Sequence, residues 1–163
     1  KNPLNLKDKF LDKVKISDLI KINFDKFNKN KKLILEIKPS DSEPKIIYKD
    51  EMFYALGNII QNAIFYSIST TKVELNYQKS NVNIIISDDG SGFSKDIIDK
   101  LGEPYIKSRS LELNSNSGLG LGTFLGKTLL ERQNAKLLFK DDKNLGGASV
   151  VISWSPKNIL LKR

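Results

Sequence analysis

Two predicted strand hairpins, separated by helices, constrain the fold of this chain more than any other feature of its sequence. Alternating apolar residues predict one hairpin from strands at 73–77 and 82–87, and a second from strands at 136–140 and 148–154. Typical turn residues lie between the paired strands, with Ser80 and Asn81 in the first hairpin and Gly146 and Gly147 in the second. Shorter strands are predicted at 33–37 and 45–48.

Apolar residues at helical spacing predict helices between these strands, at 17–27, 50–68, 94–101 and 118–131. Ser17 and Asp50 are the predicted N-caps, because their side chains accept hydrogen bonds from free backbone N–H groups. This order of elements predicts an α+β fold, a two-layer sandwich whose mixed, mainly antiparallel sheet carries about three helices on one face.

The size of the chain limits the number of domains. A length of 163 residues with a hydrophobic fraction of 39% supports one cored domain rather than two. We place that domain at residues 17–156. Residues 1–16 lack a clean apolar period and are predicted to be a linker or the tail of an upstream element, and residues 157–163 a C-terminal tail.

Residue types that the chain lacks exclude several classes of protein. The chain has no Cys, so disulfides and Cys-ligated metal sites are excluded. It has no apolar run near the ~20 residues of a membrane helix, and its beginning, KNPLNLKDKF, lacks the apolar core of a signal peptide. We therefore expect a soluble, cytoplasmic domain that makes no membrane contact of its own.

The net charge of +8 raises nucleic acid as a partner, but the kind of basic residue argues against it. Only Arg109, Arg132 and Arg163 among the 27 basic residues are arginines, and the lysines are spread along the chain. Arginine is the usual reader of base edges and the better bidentate phosphate ligand. We therefore expect no nucleic-acid partner.

Two asparagines stand one helical turn apart in the long predicted helix at 50–68. Asn58 and Asn62 are four residues apart, so their amides point to the same side of the helix. Such amides satisfy neighbouring backbone groups in many helices. Alternatively, Asn62 supplies its carbonyl oxygen to a Mg²⁺ ion that also carries phosphate oxygens, a ligand set that Mg²⁺ favours.

The segment DDGSGF follows the predicted strand at 82–87 directly. Asp88 therefore lies at a strand end, and Gly90 and Gly92 allow the backbone to turn close to a ligand. A carboxylate in that place can accept a hydrogen bond from an exocyclic amine such as that of adenine. An ordinary Asp-Gly turn is the alternative interpretation of this segment alone.

A glycine run, Gly118-Leu119-Gly120-Leu121-Gly122-Thr123, opens the predicted helix that ends at Glu131. Free N–H groups and the helix dipole at such a helix start favour phosphate oxygens, although a flexible hinge remains the alternative. The spacing excludes a P-loop, because position 121 is Leu where that motif requires Gly. The preceding residues 102–117 form the longest predicted loop, and we interpret them as a lid.

Four segments in this order, NIIQNAIFYS, DDGSGF, SGLGLGTFLGK and GGASV, resemble the N, G1, G2 and G3 boxes of the GHKL ATPases. This superfamily contains gyrase, Hsp90, histidine kinases and MutL, and the resemblance covers residues 17–155. The stretches EPYIKSR, FLGKTLLERQNAKL and VISWSP are most similar to the catalytic domain of bacterial sensor histidine kinases of the redox-responsive RegB type. The resemblance implies the Bergerat fold with a mobile ATP lid.

The resemblance also implies ATP and Mg²⁺ as ligands and assigns roles to residues of this chain. Asn62 would bind Mg²⁺, Asn58 would line the phosphate side, and Tyr66 would pack beside the nucleotide. Asp88 would bind the adenine amine in a pocket shaped by Gly90 and Gly92. The phosphates would be held beneath the lid by Gly118, Gly120, Leu121 and Gly122. Lys107 and Arg109 in the lid would either reach phosphate or remain solvated.

Asn58 distinguishes between branches of the superfamily. The gyrase, Hsp90 and MutL branches have a Glu there that activates water, whereas an amide has no useful basicity. The resemblance therefore implies a kinase that delivers the γ-phosphate to a His on a separate dimerisation and phosphoacceptor hairpin, and from there to a response regulator. This chain contains no His and cannot autophosphorylate on histidine. We expect that the hairpin has been removed and that the isolated domain is monomeric.

Three positions depart from the family pattern. Phe65 replaces a basic residue that touches phosphate in many kinases, Thr123 replaces a Leu, and Ala148 replaces the Thr of the G3 box. One alternative function is therefore a degenerate domain that binds nucleotide weakly and acts mainly by docking to a partner protein. A second, from the same fold, is a Ser/Thr kinase similar to anti-sigma factors.

Overall fold

A computed structural model describes residues 13–27, 30–38, 43–93, 95–101 and 121–159 of the chain. In chain order the elements are β1 (Lys13–Val14), α1 (Ile16–Phe27), β2 (Lys32–Lys38), β3 (Ile46–Ile47), α2 (Asp50–Tyr66), β4 (Thr70–Tyr77), β5 (Val82–Asp88), α3 (Lys95–Leu101), α4 (Leu121–Glu131), β6 (Lys136–Asp141), β7 (Ala148–Trp154) and α5 (Pro156–Ile159).

A five-stranded sheet forms one layer of the fold, with the strand order β2-β4-β5-β7-β6. β2 runs parallel to β4, and the other neighbouring strands pair antiparallel. Both predicted hairpins are present as β4–β5 and β6–β7. The sheet is therefore mixed and mainly antiparallel, and the α+β fold class is confirmed. β1 and β3 form a separate two-stranded ribbon.

One face of the sheet is buried beneath α1, α2 and α4. Burial alternates along most of β4 and along β5 as far as Ile86, so every second side chain there points into the core, as the strand period requires. The helices supply apolar side chains that interlock with these strand residues in one cluster. Among the fully buried members are Leu19, Ile20, Leu56, Ile60, Leu75, Ile84, Ile86, Leu130 and Ile152.

Neither predicted N-cap residue caps its helix. α1 begins at Ile16, and the backbone N–H and hydroxyl of Ser17 both donate to the Glu43 carboxylate from a neighbouring loop. α2 begins with Asp50 itself, and its N-cap, Lys49, forms no capping hydrogen bond through its side chain. A carboxylate distant in sequence replaces the local cap of α1, and local sequence spacing does not reveal such a partner.

α2 ends at Tyr66, two residues earlier than predicted. Ser67 adopts an extended conformation, and its hydroxyl donates to the Ile64 carbonyl. The N–H groups of Ile68, Ser69 and Thr70 donate to the Asp89 carboxylate instead of continuing the helix. This polar anchor also explains why β4 begins at Thr70, three residues before the predicted start.

The predicted lid, 102–117, lies outside the described residues. Residues 1–12 of the predicted linker, 1–16, also lie outside the described residues. The rest of that segment contains β1, which pairs with β3. No helix within the described ranges is long and apolar enough to cross a membrane.

Candidate functional site

An open cleft, about 430 Å³ with the solvent space at its mouth included, lies between α2, the start of α4 and the helix-facing side of β5 and β7. Its walls are mainly apolar, with a few polar groups among them, as is typical of ligand pockets. The lining residues are Ile59, Asn62, Ala63, Tyr66, Ile86, Asp88, Gly92, Phe93, Thr123, Ala148 and Val150.

Asp88 is the buried acceptor at one end of this cleft. It is the last residue of β5 and is 4% exposed. The N–H groups of Gly90 and Ala148 donate to its Oδ1, at 2.9 and 3.3 Å. Within the described part of the chain, no group donates to its Oδ2. Burial raises the pKa of the Asp88 carboxyl, and these two hydrogen bonds partly offset that effect.

Tight backbone packing around Asp88 requires glycine at more than one position. A Cβ atom on Gly90 would lie 2.2 Å from the Tyr66 carbonyl oxygen, where no side chain fits. Gly92 has a φ of 80°, a left-handed conformation that favours glycine, and a Cβ there would lie 2.7 Å from Oδ1 of Asp141. These glycines let the chain after β5 pass closely beside the cleft.

Asp89, next to Asp88, points away from the cleft and has a structural role. Its carboxylate accepts the hydroxyl of Ser69 and the N–H groups of residues 68–70. Desolvation raises the pKa of this carboxyl, but these hydrogen bonds outweigh it and lower the pKa to about 2. The two adjacent carboxyls therefore have opposite pKa shifts, and only Asp88 faces the cleft.

Asn62 and Thr123 form the polar group at another part of the cleft. The Asn62 Nδ2 donates to the Thr123 hydroxyl, which is 2% exposed, and this contact joins α2 to α4. With its nitrogen engaged, the amide of Asn62 keeps its Oδ1 as an acceptor. The helices approach closely here, because a Cβ on Gly126 would lie only 3.1 Å from the Ala55 carbonyl oxygen.

The predicted site residues divide into three groups. Asn62, Tyr66, Asp88 and Gly92 line the cleft, and Gly90 shapes the turn behind it. Asn58 is partly buried and is not a lining residue of this cleft. It packs near Gly126, where a Cβ would lie 3.6 Å from its own Cβ. Outside the described residues are Lys107, Arg109, Gly118 and Gly120, while Leu121 and Gly122 form the first turn of α4.

Sequence reasoning missed several residues of the cleft. Ile86 lies two positions before Asp88, and Val150 lies two after Ala148, so strand alternation alone could have identified both. Phe93 is held by a hydrogen bond from its N–H to Asp141 and by an edge-on contact with Phe139. That aromatic contact joins residues far apart in sequence, and no local pattern signals it.

The arrangement suits a flat apolar ring that carries an amine. Apolar side chains form the walls, and the buried Asp88 carboxylate provides an acceptor at the end of the cleft. In the described ranges there is no group of three or more His, Cys, Asp or Glu residues that could hold a metal ion by itself. Any cation at this site would therefore take most of its ligands from a bound molecule or from water.

Most of the described chain matches a single known protein family. Residues 48–158 match the family described as histidine kinase-, DNA gyrase B- and HSP90-like ATPase. The chain is 33% identical over 120 residues, 68% of its length, to the sensor histidine kinase RegB of Cereibacter sphaeroides. It is 30% identical over 102 residues, 63% of its length, to the sensor histidine kinase CpxA of Escherichia coli K12. The matches span 26% and 22% of those relatives, about a quarter of their length.

Solved structures share the fold at lower sequence identity. A mycobacterial sensor histidine kinase, MprB, superposes with a TM-score of 0.67 at 16% identity, covering 88% of this chain and 95% of that one. The nucleotide-free catalytic domain of the histidine kinase ThkA gives a TM-score of 0.69 at 15% identity, with coverage of 88% and 95%. At this level of identity the likeness concerns the fold.

Proposed function

Since the chain belongs to the histidine kinase-, DNA gyrase B- and HSP90-like ATPase family, we propose that it is the ATP-binding catalytic domain of a sensor histidine kinase. The resemblance to RegB-type kinases is confirmed by the 33% sequence identity between this chain and RegB. ATP is the nucleotide of such ATPases.

Asp88 carries the proposal. A buried carboxylate with one oxygen engaged by two backbone N–H groups is a fixed acceptor, and its other oxygen has no donor among the described residues. The exocyclic amine of adenine supplies that donor. The purine ring then packs against the apolar walls contributed by Ile59, Ile86 and Val150, with Tyr66 beside it. The hydrogen bond from the adenine amine thereby offsets the free-energy cost of burying the carboxylate.

Mg²⁺ fits this site through Asn62. Its amide oxygen is a hard, neutral ligand of the type that Mg²⁺ accepts together with phosphate oxygens and water. The Nδ2 donation to Thr123 holds the amide so that Oδ1 remains available as a ligand. When bound, Mg²⁺ neutralises charge on the phosphates, and Asn62 and Thr123 position it from the protein side.

Phosphoryl transfer suits the site better than hydrolysis. Asn58 packs near Gly126 one turn before Asn62, and an amide there has no basicity with which to activate water. The domain therefore contributes by positioning the nucleotide and by neutralising charge at the γ-phosphoryl group. We infer that Gly118, Gly120, Leu121 and Gly122 hold the phosphates, and that Lys107 and Arg109 approach them from the lid.

The phosphoacceptor is on another domain. No residue of this chain is a His, so a phosphohistidine cannot form on it. The curated relatives are about four times as long as the matched segment, which leaves room in them for such a domain. We propose that the partner is the dimerisation and phosphoacceptor hairpin of the parent kinase, which then serves a response regulator, and that the isolated domain is a cytoplasmic monomer.

Calorimetric titration with a non-hydrolysable ATP analogue tests the proposal. The analogue is titrated with and without Mg²⁺ into the wild type, Asp88→Asn and Asn62→Ala. We expect Asp88→Asn to weaken binding at least about 30-fold under both conditions, because the adenine amine then faces an amide. Asn62→Ala should bind the Mg²⁺-free analogue normally and lose the gain that Mg²⁺ provides.

Asp88→Asn tests the contact with adenine, and Asn62→Ala tests the contact with Mg²⁺. Normal binding to Asp88→Asn would remove Asp88 from the adenine site. An unchanged Mg²⁺ effect in Asn62→Ala would remove Asn62 from the metal site. If the wild type failed to bind at millimolar nucleotide, the domain would instead act by docking to a partner protein.

A further inference from the structure

The hydroxyl of Thr71 is buried without a hydrogen-bond partner. Thr71 lies in β4 and is 0% exposed, and no described residue donates to or accepts from its Oγ1. A buried hydroxyl that gains nothing from its polarity is unusual, since most buried polar groups are satisfied. Valine would fill the same volume in a strand without this cost. The buried, unpaired hydroxyl therefore indicates that Thr71 has a functional role.

Its position in the sheet brings Thr71 beside the adenine-binding carboxylate. Thr71 is the direct antiparallel partner of Asp88 in the β4–β5 ladder. Both side chains point to the helix-covered face, since Thr71 shares the buried side of β4 with Val73, and Asp88 lines the cleft. Directly opposed residues have Cβ atoms about 5 Å apart, so rotation of the Thr71 side chain can bring its hydroxyl within hydrogen-bonding distance of the carboxylate.

The other flank of Asp88 offers no hydroxyl. Ala148 is its neighbour on β7 and contributes only a backbone N–H, which donates to Oδ1 of Asp88. Ser87 and Ser149 do carry hydroxyls, but these bond to each other on the opposite face of the sheet. In this row of three strands, Thr71 is the side chain that can donate to Asp88.

The backbone around Thr71 is held firmly in this register. The Asp89 carboxylate accepts the N–H of Thr70, and the Asp89 N–H donates to the Thr70 carbonyl. β2 pairs with β4 on the other side, where Leu33 is opposite Thr71. Only side-chain rotation is therefore needed to make or break the contact between Thr71 and Asp88.

We propose that Thr71 is a positioning residue of the nucleotide site, whose hydroxyl donates to the Asp88 carboxylate when a purine occupies the cleft. This inference rests on the function proposed above and adds a residue that determines purine specificity. With a hydroxyl donating to it, Asp88 is held as a pure acceptor, which an amino group satisfies and an oxo group does not. Without that donor, a buried carboxyl protonates more readily and can donate to an oxo group.

Paired titrations with ADP and IDP test the inference in Mg²⁺ buffer. These nucleotides carry an amino and an oxo group at the same ring position. We expect Thr71→Val to weaken ADP binding about five- to tenfold, the value of a hydrogen bond to a charged group, and to change IDP binding less than twofold. Thr71→Ser keeps the hydroxyl and should restore the wild-type ratio of ADP to IDP affinity.

Thr70→Val is the control, and it removes a hydroxyl that pairs with Ser69 instead of an unpaired one. It makes the same substitution one residue earlier, on the other face of the strand, and keeps the N–H that donates to Asp89. Its ratio of affinities should equal that of the wild type. Because Thr71→Val removes an unpaired hydroxyl and keeps the side-chain volume, it should melt no lower than the wild type.

The outcomes distinguish this inference from the proposed function. ADP binding by the wild type tests the nucleotide site itself. If the wild type binds ADP and Thr71→Val keeps the same ratio of ADP to IDP affinity, the role of Thr71 is wrong while the nucleotide site stands. An equal loss for ADP and IDP would also overturn it, since a merely structural residue would give that result.

Discussion

Gly147 lies so close to Asp88 that a Cβ atom on Gly147 would stand 2.3 Å from both the carbonyl oxygen and Oδ1 of Asp88. The same Cβ would lie 2.6 Å from the Gly90 backbone nitrogen. The turn between β6 and β7 thus packs its backbone against the acceptor and prevents the carboxylate from swinging away from the cleft. Gly147 therefore shapes the candidate site as well as the hairpin.

Gly147→Ala should disrupt this contact. We expect a loss of roughly 3 kcal/mol or more in the free energy of unfolding, because backbone atoms cannot yield to the added methyl group. Nucleotide binding should fall with it. Gly146→Ala is the control, since no atom lies within 4 Å of its added Cβ. Its φ of 85° should cost about 1–2 kcal/mol, with binding retained. Equal effects of both variants, measured by urea unfolding and ADP titration, would contradict this account.

Asp88→Asn should make the nucleotide-free domain more stable while weakening nucleotide binding. Burial raises the folded-state pKa of this carboxyl above its ordinary value of 3.8. The free energy of unfolding therefore falls as the pH rises from 3.8 through the folded-state pKa, because the unfolded chain ionises first. The amide avoids this cost, and its oxygen can still accept the N–H groups of Gly90 and Ala148. We expect a Tm several degrees higher at pH ~7 and no difference in acid below the unfolded pKa. A lower Tm at neutral pH would show that the charge stabilises the fold.

Asp89→Asn should have the opposite effect on stability. The folded-state pKa of this carboxyl is about 2, below its ordinary value of 3.8, so its stabilisation is present above 3.8 and is lost as the pH falls toward 2. Allowing for solvent screening, we expect the variant to lose about 1–2 kcal/mol at neutral pH. The difference should shrink steadily below pH ~4 in urea unfolding curves. A loss independent of pH would indicate that packing, and not charge, accounts for the effect.

Strand alternation and helical spacing predicted the elements well, because each signal is local. The β4–β5 hairpin and α2 follow from periods of two and 3.6 residues, and their apolar faces fix the sheet-and-helix layers. The ends of elements were less predictable. Glu43 at the start of α1 and Asp89 at the end of α2 act from 26 and 21 residues away in sequence. Tertiary contacts of this kind override local caps.

The candidate site likewise contains residues that local sequence predicts and contacts that depend on the tertiary fold. Asp88, Asn62 and Tyr66 were predicted from ordered motifs, and the structure places them in one cleft. The sequence identified Thr123 only as a departure from the family pattern, whereas it is buried and accepts a hydrogen bond from Asn62. That partnership joins residues 61 positions apart, which depends on how α2 crosses α4. Local spacing carries no information about such a crossing.

Thr123→Val should uncouple Mg²⁺ from nucleotide binding. The valine keeps the volume but removes the acceptor for Nδ2 of Asn62, so the amide oxygen is no longer held as a ligand. We expect the Mg²⁺-dependent part of the ATP affinity to fall about tenfold, with Mg²⁺-free binding unchanged. Thr123→Ser retains the hydroxyl and should behave like the wild type. Calorimetry of Thr123→Val with full Mg²⁺ enhancement would exclude this orienting role.

Phe65→Lys should raise the affinity for ATP. Phe65 is 72% exposed and its ring contacts Tyr66, a cleft residue, at 4.9 Å between centroids, so a cation there stands near the nucleotide. The resemblance to sensor kinases places a phosphate-binding basic residue at this position. An exposed charge interacts only modestly with phosphate, so we expect a gain of about two- to fivefold at low salt that declines as salt is added.

Two controls separate a phosphate contact from a general effect of charge. Adenosine carries no phosphate, so its affinity should not change in Phe65→Lys. Ile68→Lys adds the same charge at a side chain that is 78% exposed but lies beyond the end of α2. It should give a smaller gain, since a charge outside the cleft acts only through the overall field of the domain. Equal gains from both lysines would mean that position 65 has no special relation to the phosphates, and the exposed phenylalanine would then require another explanation.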